Sequence, residues 1–476
     1  MTCALRLLAL VAALVAVATT LPGEVPCCDL EYLIRPDPVS ETVEVNLEIR
    51  GFTGDSLVLV RQSARPLPGL LGEDPVVEGA TLTAWSMNAG SPRWVYVRPR
   101  EGWDPSVRVR YRLAITAERP LNAWAVGLDR DLLYAPAEAL FLVPSMPELA
   151  AQHAAVHVAW DLPHGWEAFT GWSGGMFRGT RTLLKTNVLA GDIERHRLAA
   201  CGVEVELGVH GEWTFDPEAL ISDLGRLACA ARARLGEPDV DHYTVSLVQA
   251  RFPMTSGNRN GPHAIAFVHS VPDGEPPSTR LLAHELVHLW QRFDSQTWFQ
   301  EGVNDYMALR LAREADLLDA DAYAEILGSI DSVYRSHPHR SSWSFADEAT
   351  AAPPYGPSDD YLAYRKGAIV GLGLDRELRL RSGGRIDLAV LWRDMNTRAR
   401  FGHVVWTDDD IATRAAALAE GSMTHFFAHW VAGTSDLPRP GALLTNLPGP
   451  PPPTLEPGGI STLAAFVQTA FGRFSR

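Results

Sequence analysis

Two histidines four positions apart enclose a glutamate in the run His284-Glu285-Leu286-Val287-His288. Residues i and i+4 share one face of an α-helix, so both imidazoles can point at one metal ion. Glu285 then lies where it can take a proton from a water activated by that ion. Glu301, in Trp298-Phe299-Gln300-Glu301-Gly302, follows thirteen positions after His288. That interval lets the chain turn and start a second helix that brings in a carboxylate. Three protein ligands with a fourth position open describe a catalytic zinc site, not a structural one. One zinc per chain is expected, held by His284, His288 and Glu301. Asp305 is i+4 from Glu301 and can accept the second ring N–H of a ligating histidine, which fixes its tautomer.

The helix that must carry the histidines is marked at both levels. Pro276-Pro277-Ser278 supplies a start signal with Ser278 as N-cap. Leu281, Leu282, Leu286 and Leu289 make it apolar enough to be buried. Upstream, Thr42 to Ile49 alternates with period two, and 57–60, 94–97, 107–115, 154–160 and 203–209 also read as strands. Pro and Gly punctuate the joins. Asp216-Pro217 opens a helix running to about Leu235. Strands are expected at 243–249 and 264–268, with a turn-rich loop at 258–262 between them. Helical patterns follow to about Val431. Strand 264–268 can offer its edge to an extended peptide.

The chain has 476 residues, 46% apolar and 21% charged, with a net charge of −15. It is long enough for two or three domains of ordinary globular composition. The acidic balance argues against a nucleic-acid partner, which needs a basic face. The first 18 residues look like a secretory signal: Arg6, an apolar run from Leu7 to Val17, and the cleavage pattern Ala16-Val17-Ala18. A secreted, periplasmic or otherwise extracytoplasmic location follows, with a single N-terminal membrane anchor as the other reading. Cys27, Cys28, Cys201 and Cys229 then remain, and one or two disulfides in any of three full pairings are open. A Pro-rich run spans 448–457. After it, Leu463, Phe466, Val467, Ala470, Phe471 and Phe474 form an amphipathic stripe that can dock on its own protein or on a membrane.

Four segments carry a family likeness. They are Trp298 to Gly302; Tyr364-Arg365-Lys366-Gly367-Ala368 leading into Leu374-Asp375 and Ser382-Gly383-Gly384; Phe426-Phe427 with Gly433-Thr434 and Leu437-Pro438; and, more loosely, 133–142 with 162–166. Over roughly residues 28 to 445 the chain resembles the glycyl aminopeptidase family of zinc metallopeptidases, relatives of the thermolysin-like gluzincins. The resemblance implies an α+β multi-domain fold. Residues 1–18 would be a signal peptide and 19–212 a β-sandwich-like domain. Residues 213–447 would be a gluzincin catalytic domain, α/β and then helical, and 448–476 a linker and short helix. It nominates Tyr364 as donor to the oxyanion of the tetrahedral intermediate; Tyr361 and His263 are alternatives.

Two departures stand out. The interval between His288 and Glu301 is shorter than the family's, which trims only the connecting loop. The family's Gly-Gly-x-Glu-His element corresponds here to Gly261-Pro262-His263-Ala264, without the glutamate. Gly261, His263 and Ala264 are the expected substrate-binding positions, and no acid among them pairs with a substrate's free amine. Glu275 is the alternative source of that acid. The expected activity is zinc-dependent hydrolysis of peptide bonds, with Glu285 as general base. A zinc hydrolase of a non-peptide bond, or a non-catalytic binding protein on the same fold, are the alternatives. Oligomeric state is not legible.

Overall fold

The computed structural model describes residues 29–51, 57–61, 70–72, 75–78, 80–86, 94–99, 106–145, 148–172, 174–238, 240–261, 263–270, 275–351, 362–400 and 405–445. The leader, Cys27, Cys28, Tyr361, the Pro-rich run and the C-terminal stripe lie outside them. The chain divides into two compact units. Of the described residues, the first takes in those within 29–194, 208–212 and 246–270; the second takes in those within 195–207, 213–245 and 275–445.

Alternating strands build the first unit. Its seven-stranded sheet is centred on β1 (Asp29–Asp37), β2 (Thr42–Arg50), β3 (Ser106–Ile115) and β4 (Ala155–Trp160). β2 pairs antiparallel with both β1 and β3, and β1 pairs parallel with β4. Along β2 every second side chain is buried, as the alternation of Thr42 to Ile49 requires. Val43, Val45, Leu47 and Ile49 enter one core with Leu30, Tyr32 and Tyr111. Full burial of such side chains stabilises by roughly 1.5–3 kcal/mol each. The two tyrosines satisfy their hydroxyls on Leu142 O (2.8 Å) and Leu140 O (2.7 Å). This unit also holds two four-stranded sheets.

A five-stranded sheet has the order β5 (Glu194–Ala200), β6 (Val203–His210), β7 (His242–Gln249), β9 (Ala264–Ser270), β8 (Met254–Arg259). Two expectations are corrected here. Asn258 and Arg259 belong to strand β8, not to a loop, because Asn258 is buried and bonds through its amide to Ala123 O (3.3 Å). Residues 264–268 cannot offer an edge, because β9 is paired on both sides; the strand beyond it, β8, is the edge there.

The second unit is mostly helical. α1 (Pro217–Leu235) starts as expected, with Asp216 capping Glu218 N and proline in the first turn. Cys201, in the β5–β6 turn, is disulfide-bonded to Cys229 on α1. α2 (Thr279–Leu289) is followed by a π-helical turn, Trp298–Val303, that runs directly into α3 (Asn304–Glu314). Then come α4 (Ala320–Ser336), α5 (Phe345–Ala351), α6 (Leu362–Ser382), α7 (Leu388–Ala399) and α8 (Asp408–Leu418). A buried polar cluster ties three of these together. Arg310 of α3 reaches Asp375 of α6 (3.3 Å) and Asp387, the N-cap of α7; Tyr306 donates to Asp375 (2.7 Å). Charges this deep persist only because each is paired. Among the described residues no helix is long and apolar enough to cross a membrane.

Candidate metal centre

α2 positions two of the three ligands. Ser278 caps it by accepting from Leu281 N, as its sequence suggests, and Leu282, Leu286 and Leu289 are buried. His284 and His288 therefore share a face, and their Nε2 atoms lie 3.2 Å apart. The π-helical turn brings in the third ligand. Glu301 Oε2 lies 3.3 Å from His284 Nε2 and 3.3 Å from His288 Nε2. The three atoms form a nearly equilateral triangle. Tetrahedral zinc with ligand bonds of 2.0–2.1 Å has ligand–ligand edges of about 3.3 Å. The residues present therefore fit the ion, with one apex of the tetrahedron left to a water or substrate oxygen.

The surroundings hold the rings in place. His284 Nδ1 lies 2.8 Å from Asp305 Oδ1, so the ring donates there and turns Nε2 toward the triangle. Arg280, one turn before His284, pairs with the same Asp305 carboxylate. Asn304 donates to His284 O at 3.1 Å and ties α3 back to α2. His288 Nδ1 faces Gln291 Oε1 at 3.4 Å, and Gln291 is itself anchored to Phe293 O at 3.1 Å. Arg280, Gln291 and Asn304 were not singled out from the sequence. Arg280 and Gln291 stand at i−4 from His284 and i+3 from His288, and that spacing is the signal that could have found them.

The electrostatics favour a cation. Burial would push the His284 imidazole down, but Asp305 and Glu301 outweigh it and lift it to about 10. Burial would raise Asp305, yet His284 and Arg280 hold it at about 2. Glu301 is likewise held well below the usual carboxylate range by the two histidines, against its burial. Glu285 is buried on α2, and its charge is felt at both His284 and Tyr364. Burial, and then Glu301, push the Tyr364 phenol up, so it keeps its proton and can donate. Its ring lies parallel to that of His284, centroids 6.3 Å apart.

Two glycines set how closely Tyr364 approaches. A Cβ on Gly302 would lie 2.3 Å from Ala363 O and 2.6 Å from Gly367 Cα. A Cβ on Gly367 would lie 2.6 Å from Trp298 O. The backbone of α6 thus touches the backbone of the π-helical turn. The residues just before Gly302 and one turn before Gly367, Glu301 and Tyr364, are brought together as a result. Both glycines stood in the family-like segments, but only the structure shows what they do.

Gly261, His263 and Ala264, the positions expected to bind substrate, lie in the β8–β9 turn and at the start of β9. Gly261 adopts a φ of +77° in the β8–β9 turn, where a Cβ would meet Lys185 O at 2.3 Å. His263 is half-buried, and Ala264 is buried at the start of β9. All three belong to the first unit; the zinc-type triangle belongs to the second. Glu275 is exposed. Glu204, Glu206 and His242 form another cluster of metal-ligand type, but Arg197 already sits on both glutamates.

Compared by sequence, the chain matches no protein-family model and no curated protein. Compared by structure, it is similar to the aminopeptidase N family protein of Idiomarina loihiensis. That match has a TM-score of 0.72 at 17% identity, over 86% of this chain and 77% of that one. It is also similar to an M1 zinc metallopeptidase of Deinococcus radiodurans (TM-score 0.52, 19% identity, 89% and 97% covered). A point mutant of an M1 zinc metallopeptidase from Deinococcus radiodurans, bound to a Tyr-Ser-Ala substrate, matches with a TM-score of 0.52 at 16% identity, over 89% and 97% of the two chains. The fold is that of the M1 zinc metallopeptidases. The α+β, multi-domain architecture expected from the sequence is therefore the one observed.

Proposed function

We propose that this chain is an exported zinc metallopeptidase. The observation that carries the reading is the triangle of His284, His288 and Glu301, with Glu285 and Tyr364 beside it. Zinc, held by His284, His288 and Glu301, would supply a Lewis acid for an attacking water and for the scissile carbonyl. Glu285 takes the proton of that water as it attacks the carbonyl carbon. Tyr364 donates to the oxyanion of the tetrahedral intermediate. Glu285 then delivers its proton to the departing amine as the C–N bond breaks. Asp305 and Gln291 keep the two imidazoles oriented throughout.

Peptide substrates are supported by the fold neighbours, one of which was solved with a tripeptide. The finer placement among glycyl aminopeptidases rests on segments 298–302, 364–384 and 426–438 alone. The described residues of the β8–β9 hairpin include no carboxylate. We infer that the site does not demand a free N-terminus, since an ammonium without a counter-charge is costly to desolvate. Export is supported by the leader pattern and by the Cys201–Cys229 disulfide, which suits an oxidising compartment. N-terminal sequencing of the exported protein should begin at Thr19.

A peptide-library assay on purified protein, with and without chelator, tests the activity, and metal analysis should find about one zinc per chain. Zinc without peptide cleavage would favour another hydrolysed bond, and cleavage that survives chelation would remove the metal from the mechanism. Matched peptides with free and acetylated N-termini test the specificity. A hundredfold preference for the free amine, about 2.7 kcal/mol, would make the enzyme an aminopeptidase with its acid elsewhere.

A further inference from the structure

α6 carries Tyr364 near its N-terminal end, where backbone N–H groups lack acceptors within the helix. The acceptor for two of them comes from another helix. Glu348 of α5, 4% exposed, takes the Leu362 N–H on Oε1 and the Ala363 N–H on Oε2, the latter at 2.7 Å. A carboxylate at a helix N-terminus is favoured by the aligned peptide dipoles and by charge-assisted hydrogen bonds. Tyr364 is the next residue along.

The same short helix also grips the metal-ligand segment. Phe345 of α5 stacks on Trp298, with centroids 5.5 Å apart and planes 13° from parallel. Trp298 opens the π-helical turn that contains Glu301. The Lys366 ammonium lies 4.5 Å from the centre of the Phe345 ring and donates to Gly433 O at 2.9 Å. Lys366 is on α6, two residues past Tyr364. One seven-residue helix thus touches both the segment bearing Glu301 and the segment bearing Tyr364.

We propose that Glu348 is a positioning residue. By capping Leu362 and Ala363 while Phe345 holds Trp298, it fixes the phenol of Tyr364 relative to Glu301. This rests on the reading of Tyr364 as oxyanion donor. Glu348 touches neither the ligand triangle nor the reacting atoms, and acts only through α6.

The test uses full-length, zinc-loaded protein and four variants: Glu348→Gln, Glu348→Asp, Tyr364→Phe and the double Glu348→Gln/Tyr364→Phe. Glu348→Gln keeps the shape but turns an amide N–H₂ toward one of the two backbone donors. It should leave the zinc content unchanged and lower kcat by about tenfold or more with little change in KM. Amide exchange at Leu362 and Ala363 should quicken. In the Tyr364→Phe background the same change should cost nothing further in kcat, because the group it positions is gone. Glu348→Asp, which keeps the charge one methylene short, should lose less and serves if the glutamine variant does not fold. Equal losses in both backgrounds, or unchanged kcat despite faster exchange, would overturn the proposal. A silent Tyr364→Phe would instead overturn the oxyanion reading on which it rests.

Discussion

His284 and Asp305 are joined ring to carboxylate at 2.8 Å, and Arg280 closes on the far side of that carboxylate. The imidazole therefore has one tautomer and one orientation open to it. Replacing Asp305 by leucine should lower zinc affinity by roughly 10- to 100-fold, as loss of such outer partners does elsewhere. A chelator competition titration reads this directly. An unchanged dissociation constant would mean that the ligand triangle holds itself.

Glu285 is flanked by two ligands yet is not one of the three that meet. Glu285→Gln should keep the metal and lose most activity. Tyr364→Phe should lower kcat by roughly 10- to 1,000-fold with little change in KM, as expected for a donor used mainly in the transition state. Near-normal turnover by Glu285→Gln would rule out the mechanism.

The contact between Gly302 and Gly367 leaves no room for a methyl group on either side. Gly302→Ala should cost about 1–3 kcal/mol of stability or more, by overpacking. It should also reduce kcat by moving α6, and Tyr364 with it, off the π-helical turn. Denaturant unfolding and steady-state kinetics on one preparation check both. A variant within about 0.5 kcal/mol of the parent, as ordinary surface changes are, would show that the crossing is looser than its geometry.

Lys366 is fully buried, and burial pushes its ammonium down to about 8, against the pull of Glu348 and Asp347. In the unfolded chain it returns to 10.5. Between these values the unfolded state binds more protons, so this group makes stability rise with pH from about 8 to about 10.5. Below about 8 both states hold the proton and the penalty is constant. The full span is worth about 3 kcal/mol. Wild type should therefore gain on Lys366→Met between pH 7.5 and pH 10 in parallel unfolding curves. A pH-independent difference would mean that Lys366 is solvated.

What could be read in the sequence was local. The histidine pair and the β2 alternation depend on periods of 3.6 and 2, which a short window displays. The Ser278 and Asp216 caps depend on one or two residues. What could not be read was tertiary. Gly302 meets Gly367 across 65 positions, and neither glycine differs in sequence from one in a turn. Glu348 caps α6 from 14 positions away, beyond the reach of any local capping signal. β9 is buried on every residue but the last, so its alternation vanishes and its place inside the sheet is invisible. Asn258 and Asn260 resemble turn residues, but their amides serve distant carbonyls at Ala123 and Thr186.

The turn that carries Glu301 is π-helical from Trp298 to Val303 and continues into α3. Such a turn amounts to an α-helix with one residue inserted. Deleting one residue between Glu301 and Asp305 would cut their interval from four to three and, at about 100° per residue, shift one against the other around the helix. Glu301 and Asp305 could then no longer serve the same histidine from one strip of helix. For anyone transplanting this centre into another scaffold, the spacing must be copied by count, because a sequence with all the right ligands and one residue fewer would aim them at different points.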